Sequence, residues 1–399
     1  MENGSSFRLG FDIGGTFTDF VLYDESGGAI RSYKTLTTPD DPARAVVAGW
    51  NALREEIGPE AQIVLAIHGT TLLTNALIER KGARTALLTT KGFRDILDTQ
   101  REMRYDIYDL HSPPVEPLIP RSMRIELEER IDAFGDVLIP LTSDGLAEAT
   151  EQLRKVKPDA VGICLLHAYR NSDHEEQARD YLAEHLPGVT ISLSSEVAPE
   201  IREFERISTV AANAYVQPIT AQYLQAIKDS LVELGYDREL FLMLSSGGIT
   251  DASTATAFPV RLVESGPAAG ALAAVFYGRR IGLKDIVSFD MGGTTAKICV
   301  IRDLTPAMTS TFEVARRHRF KKGSGLPVRI PAIELLEIGA GGGSIARKDN
   351  LGLLKVGPDS AGADPGPACY GGGGTEPTVT DADVYLGYLN PKNFLGGRM

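Results

Sequence analysis

Phe11-Asp12-Ile13-Gly14-Gly15-Thr16-Phe17-Thr18-Asp19 occurs twice in this 399-residue chain, the second time as Phe289-Asp290-Met291-Gly292-Gly293-Thr294-Thr295-Ala296-Lys297. Phe, Asp, Gly, Gly and Thr repeat in register. Apolar runs flank both copies: Leu9 and Phe11 before the first turn and Phe20 to Leu22 after it, Ile286, Val287 and Phe289 before the second and Ile298, Val300 and Ile301 after it. Each copy therefore reads as strand, tight glycine turn, strand. Adjacent glycines let backbone amides approach a ligand without Cβ hindrance, and a nest of amides cradles phosphate oxygens. An Asp at the end of the first strand suits Mg²⁺, which keeps several waters and takes one or two carboxylates beside phosphate. A lone copy reads equally well as an ordinary hairpin with a solvated Asp. Two copies point to two similar domains facing a nucleotide.

Working outward, the chain shows HGTTLLTNALIERKG at 68–82, LSSGGITD at 244–251, ESGPAAG at 264–270, GAGGGSIA at 339–346 and GADPGPACYGGGG at 362–374. The paired turns resemble the phosphate loops of the actin, Hsp70 and sugar-kinase superfamily. The further motifs resemble the A-type subunit of the hydantoinase/oxoprolinase family, from about Phe7 to Met399. That family includes N-methylhydantoinase, the N-terminal part of 5-oxoprolinase and the nucleotide-binding subunits of acetone and acetophenone carboxylases. The resemblance implies an α/β chain with two actin/Hsp70-like (ribonuclease H-like) domains around a nucleotide cleft, residues 7–200 carrying the first phosphate loop and 201–399 the second. The family pattern runs on past the end of this sequence, so the second domain is expected to be incomplete and the chain to be C-terminally truncated.

The resemblance also implies an activity. An ATP-dependent hydrolase subunit would phosphorylate the carbonyl oxygen of a hydantoin, 5-oxoproline or other lactam to open the ring, with a B-type subunit as partner in a hetero-oligomer. Alternatives are the nucleotide-binding subunit of an acetone- or acetophenone-type carboxylase acting on a ketone, a superfamily kinase, or an actin/Hsp70-like ATPase switch. ATP and Mg²⁺, or another divalent ion, are the expected cofactors. Asp12 and Asp290 are the expected catalytic and metal-organising carboxylates. Gly14, Gly15, Thr16, Thr18, Gly292, Gly293, Thr294 and Thr295 are the expected phosphate-loop residues, and Thr70, Thr71, Asn75 and Glu264 are weaker candidates for the cleft.

Composition sets bounds. Hydrophobic residues make up 43% and charged residues 24%, as in a soluble globular protein. Net charge is −12, which argues against a nucleic-acid surface. No apolar run approaches the roughly 20 residues of a membrane span, and a cytoplasmic protein is expected. Cys164, Cys299 and Cys369 form no metal spacing or disulfide framework; the first two sit in apolar runs and read as buried small hydrophobes.

Local readings fill in the rest. Val46, Trp50, Leu53 and Ile57 form one helical stripe. A strand at 62–67 leads into His68-Gly69-Thr70-Thr71 and a helix over 72–81 ended by Gly82. Its start reads either as an anion site or as simple capping by Thr70 or Thr71. His68, with no other His near it in sequence, reads as a hydrogen-bonding or loop-ordering residue. From Ser143 strands and helices alternate, which predicts a mostly parallel sheet. Residues 200–217 and 218–234 read as two helices broken at Pro218. An Ala-rich helix over 267–280 is expected to press closely on a sheet. Lys297 stands where the first copy has Asp19, so it faces either phosphate or solvent.

Overall fold

A computed structural model describes residues 6–14, 17–38, 41–58, 60–293, 295–316, 321–362 and 364–392. The two strands of the first repeat fold as read. Strand β1 (Ser6–Ile13) buries Phe7, Leu9, Phe11 and Ile13 on one face and turns Arg8, Gly10 and Asp12 to the other, the period-2 alternation of a strand. It pairs antiparallel with β2 (Phe17–Asp24), with Phe11 opposite Phe20 and Asp12 opposite Asp19. Strand β3 (Ile30–Leu36) extends the meander beside β2. On its other edge β1 runs parallel to β4 (Gln62–Thr70), which puts Gly69 beside Asp12.

Helix α1 (Pro42–Ile57) starts at Asp41, whose side chain accepts from the Ala43 amide, and buries Val46, Trp50 and Leu53. Its Gly49 lies so close to the sheet that an added methyl would sit 2.2 Å from the Phe20 ring. The sheet is completed by Leu240–Met243, parallel to β4, and Ile249–Asp251 at the edge. Strands on either side of residue 200 thus share one sheet.

The strands expected after Ser143, Ala160–Cys164 and Thr190–Leu193, are parallel, and the sheet also takes in Thr85–Thr90 and Arg124–Leu127 from before that point, all parallel. Between the two sheets runs one 31-residue helix, Glu203–Glu233, with Pro218 inside it. The break expected at Pro218 does not occur. Proline removes one N–H and strains one turn at a cost of about 3 kcal/mol, but this helix buries Ile207, Val210, Ala211, Val216, Leu224, Ile227 and Leu231. Those side chains offset the local loss at about 1.5–3 kcal/mol for each large one. Glu205 and Arg206 are buried on this helix, and Arg206 donates to the Leu165 carbonyl.

The second repeat forms the hairpin Ile286–Met291 and Ala296–Arg302, with Phe289 opposite Ile298 and Asp290 opposite Lys297. One face, with Cys299, Ile301 and Ile286, packs on Ala268, Ala271 and Val275 of the helix Ser265–Ile281. Pro267 is the third residue of this helix, not the first as the motif suggests. The other face is bare: Val287, Phe289 and Met291 are 65%, 59% and 38% exposed, where their counterparts Leu9, Phe11 and Ile13 are 1%, 4% and 4% exposed. Among the described residues, no strand pairs with the outer edge of Ile286–Met291. No helix among them is long and apolar enough to cross a membrane.

Candidate functional site

The two glycine turns are closed by the same bond. Gly14 N–H donates to the Phe17 carbonyl and Gly292 N–H to the Thr295 carbonyl, each at 2.9 Å. These two amides are thereby spent on shaping the turns rather than on a ligand. Gly15, Thr16 and Thr294 lie outside the described residues. Gly293 is exposed, and its amide has no hydrogen bond among the described residues. A second glycine-rich loop backs this turn: Gly342 N–H donates to the Gly292 carbonyl at 2.9 Å and Gly343 N–H to the Gly293 carbonyl at 2.7 Å.

Alternation along β2 decides the fate of Thr18. It shares the buried face with Phe20, away from Asp12 and Asp19, and is fully buried. Its hydroxyl lies 3.0 Å from that of Thr37, which donates to the Gly14 carbonyl. Thr18 therefore braces the first turn from behind instead of meeting a phosphate. Thr295 is half-buried beside the second turn.

Asp12 and Asp290 converge on the helix Ser265–Ile281. A methyl added to Gly266 would sit 3.4 Å from both Asp12 carboxylate oxygens, and one on Gly270 would sit 3.8 Å from Asp290 Oδ2. Gly266 and Gly270 are one turn apart on one side of the helix. On the β4 side, a methyl on Gly69 would sit 2.8 Å from Asp12 Oδ1. Three glycines thus clear room for two carboxylates. By sequence the small residues of ESGPAAG read as packing residues; their role against the aspartates needs the fold.

Asp12 Oδ1 is buried without a hydrogen-bond partner. Burial, then the charges of Asp19 and Asp290, push the Asp12 carboxyl up to about 6, with Lys34 opposing. Lys34 is itself held by Asp19, at 2.6 and 2.8 Å. An orphaned, desolvated carboxylate oxygen beside two more carboxylates fits a divalent cation. No cluster of three or more His, Cys, Asp or Glu among the described residues could cage a metal. The fit is therefore to an ion that takes part of its shell from water and phosphate, as Mg²⁺ does.

The HGTT segment ties the strand end to two helices. Helix α2 spans only Leu72–Ile78, and its first amide, of Leu72, donates to Thr70 Oγ1 at 3.1 Å. Thr70 is buried, and its backbone N–H and C=O both bond the Ser265 hydroxyl, at 3.4 and 3.2 Å. Thr71 ties back to the Ile13 carbonyl. Of the two threonines, Thr70 makes the capping contact, and the Thr71 side chain makes none. Asn75 is half-buried on α2. Gly82 does not end the helix; it makes room for Tyr215, whose ring would lie 2.1 Å from an added methyl.

His68 is a buried brace, as its isolation in sequence indicates. Its Nδ1 lies 3.2 Å from the Phe11 carbonyl and its Nε2 2.8 Å from the Tyr223 hydroxyl. The carbonyl can only accept, so Nδ1 carries the proton and Nε2 accepts from the phenol. Burial holds the ring neutral, with its pKa down to about 4. The Tyr223 hydroxyl also lies 3.4 Å from Thr70 Oγ1. The central helix is thereby tied to the strand ends that carry Asp12 and Thr70.

Glu264 precedes the bridging helix in a left-handed conformation, φ +64°, which a non-glycine residue adopts at a cost. Its amide donates to Thr74 Oγ1 at 3.2 Å, and its carboxylate pairs with Lys297.

Comparisons with known proteins cover nearly the whole chain. The family profile described as Hydantoinase/oxoprolinase N-terminal region matches residues 8–186, and that described as Hydantoinase/oxoprolinase matches 206–399. An uncharacterised protein of Methanocaldococcus jannaschii is 42% identical over 97% of this chain and 57% of its own length. Caprolactamase subunit alpha of Pseudomonas jessenii is 37% identical over 98% of this chain and 56% of its own. A nucleotide-free structure of acetone carboxylase, from work on ATP-dependent acetone carboxylation, superposes with a TM-score of 0.80 at 27% identity, covering 98% of this chain and 56% of that one. The chain spans a little over half the length of these relatives.

Proposed function

The chain belongs to the hydantoinase/oxoprolinase family, and from that premise we propose that it is the nucleotide-binding part of an enzyme that uses ATP to open a cyclic amide. The observation that carries this reading is the convergence of Asp12 and Asp290 on Gly266 and Gly270, with Asp12 Oδ1 lacking any partner. Asp12 and Asp290 would hold Mg²⁺ and its waters, and Gly293 with the neighbouring turn residues Gly15, Thr16, Thr294 and Thr295 would line the phosphates. When bound, the ion neutralises phosphate charge. The protein's share is positioning and charge stabilisation around in-line transfer.

In the proposed reaction the lactam carbonyl oxygen attacks the terminal phosphorus and the bond to ADP breaks. Water then adds to the activated carbon and the ring C–N bond breaks, the nitrogen leaving as the amine with the proton of that water; a second water hydrolyses the resulting acyl phosphate to carboxylate and inorganic phosphate. The amide becomes reactive because its oxygen has become a good leaving group. A B-type subunit is the proposed partner. The ATP-dependent caprolactamase, 35% identical at a TM-score of 0.79, supports the lactam substrate class. The likeness to acetone carboxylase favours one second reading, in which the same activation serves a ketone and a carboxylate species is the second reactant.

The test is phosphate release by the chain assembled with its partner subunit. Release that needs a lactam and yields the ring-opened amino acid without bicarbonate supports the first reading. Release that needs a ketone and bicarbonate supports the second. ATP turnover indifferent to both substrate classes would sink both.

A further inference from the structure

The two hairpins differ in one charge. Asp12 faces Asp19 across the first, whereas Asp290 faces Lys297 across the second. Directly opposed residues on an antiparallel pair share a face, so Lys297 lies on the face of Asp290, the one packed against the bridging helix. Its side chain is only 14% exposed. It pairs with Glu264, at the start of that helix, and lies 3.7 Å from Glu337 on the neighbouring strand. The site also holds Asp12, Asp19 and Asp290, in a chain of net charge −12. A polyphosphate entering it meets several carboxylates. Lys34 is engaged by Asp19 on the sheet's outer strands, which leaves Lys297, among the described residues, as the ammonium beside the second turn.

We propose that Lys297 is the phosphate-binding cation of this site, held by Glu264 and Glu337 until the terminal phosphates of a nucleoside triphosphate take it over. The inference rests on the nucleotide-binding reading above and adds a residue to it. The lysine stem is long and its three donors rotate freely, so the ammonium can leave one anion for another without moving the hairpin. Glu264, once released, stays at a helix N-terminus, where the positive end of the dipole favours its charge. The strained backbone of Glu264, fastened by Thr74, keeps that carboxylate within reach of Lys297. A purely structural ion pair between helix and hairpin is the competing account, and the two predict opposite signs for one variant.

The experiment is calorimetric titration of Mg·ATP and Mg·ADP into the parent, Lys297→Met, Lys297→Arg and Glu264→Gln, with thermal unfolding to verify that each is folded. A charge-assisted phosphate contact predicts that Lys297→Met loses about tenfold in ATP affinity, about 1.4 kcal/mol, and less for ADP. Lys297→Arg should restore most of it. Glu264→Gln, which frees the ammonium, should bind ATP more tightly than the parent, by roughly threefold. If Lys297→Met binds ATP like the parent, or if Glu264→Gln weakens binding together with stability, the pair is structural and the inference falls. If the folded parent binds neither nucleotide, the nucleotide reading fails first and takes this inference with it.

Discussion

Replacing Asp12 by asparagine removes a charge while keeping the shape of the side chain, and the structure fixes both the size and the pH dependence of the effect. The folded carboxyl titrates at about 6 against an ordinary 3.8, chiefly because it is buried. At 1.36 kcal/mol per pKa unit, ionised Asp12 costs the ligand-free protein about 3 kcal/mol. Between the two values the folded carboxyl holds a proton that the unfolded chain has released. Stability contributed by this site therefore falls as pH rises from 3.8 to 6 and stays low above that. The neutral amide of the Asp12→Asn variant escapes this cost. The variant-minus-parent stability should shift in the variant's favour by about 3 kcal/mol between roughly pH 3.5 and pH 7.5. Lost hydrogen bonds and altered packing cancel in that difference, because they are the same at each pH. Urea unfolding followed by fluorescence is the assay: Trp50 is the chain's one tryptophan and is buried under the sheet that carries Asp12. A variant-minus-parent difference that is flat with pH would refute the reasoning. Saturating Mg·ATP should raise the stability of the parent and not of the variant, because a cation on Asp12 stabilises the parent alone.

Three further outcomes follow from the same geometry. Gly69→Ala crowds Asp12 Oδ1, 2.8 Å from the new methyl; Mg·ATP affinity should fall about tenfold, near 1.4 kcal/mol, with little change in melting temperature, and unchanged affinity by calorimetry would contradict the cation site. His68, held neutral with its pKa down to about 4 against 6.5, gives up about 3 kcal/mol of stability as pH falls through that window, because only the unfolded ring gains the proton. His68→Gln should be less stable than the parent at neutral pH and lose less on acidification; equal acid sensitivity in urea melts would count against the brace. Gly82→Ala drives a methyl into the Tyr215 ring and should cost about 1–3 kcal/mol, read as a lower denaturation midpoint with no effect on nucleotide affinity in the surviving folded protein.

What is legible in the sequence is local or periodic. The two glycine turns, the α1 stripe, the parallel run of strands after Ser143 and the isolation of His68 all rest on neighbouring residues or a fixed period. Thr18 misleads for a reason present in the sequence: adjacency groups it with Thr16, whereas alternation along a strand puts it on the face opposite Asp19. Pro218 follows its local rule on paper, and the burial of a 31-residue helix overrides that rule. Gly82 looks like a helix stop, but its reason is a ring from a helix more than 100 residues away in sequence. The approach of Gly266 to Asp12 and of Glu264 to Lys297 is not legible, because each joins segments that only the packed sheets and the bridging helix bring together.

The contrast between Phe11 and Phe289 reaches beyond the single molecule. Both edges of β1 are occupied and its apolar face is covered, so the first hairpin is inert toward other chains. The second presents an unpaired backbone edge among the described residues together with Val287, Phe289 and Met291 in the open, and such an edge templates pairing with another strand. Association through this strip should be second order in concentration, weak in dilute solution and rising as the protein is concentrated. Asp285, just before this strand, repels the same residue of a second copy laid in register, so the contact grows stickier as salt rises and that charge is screened.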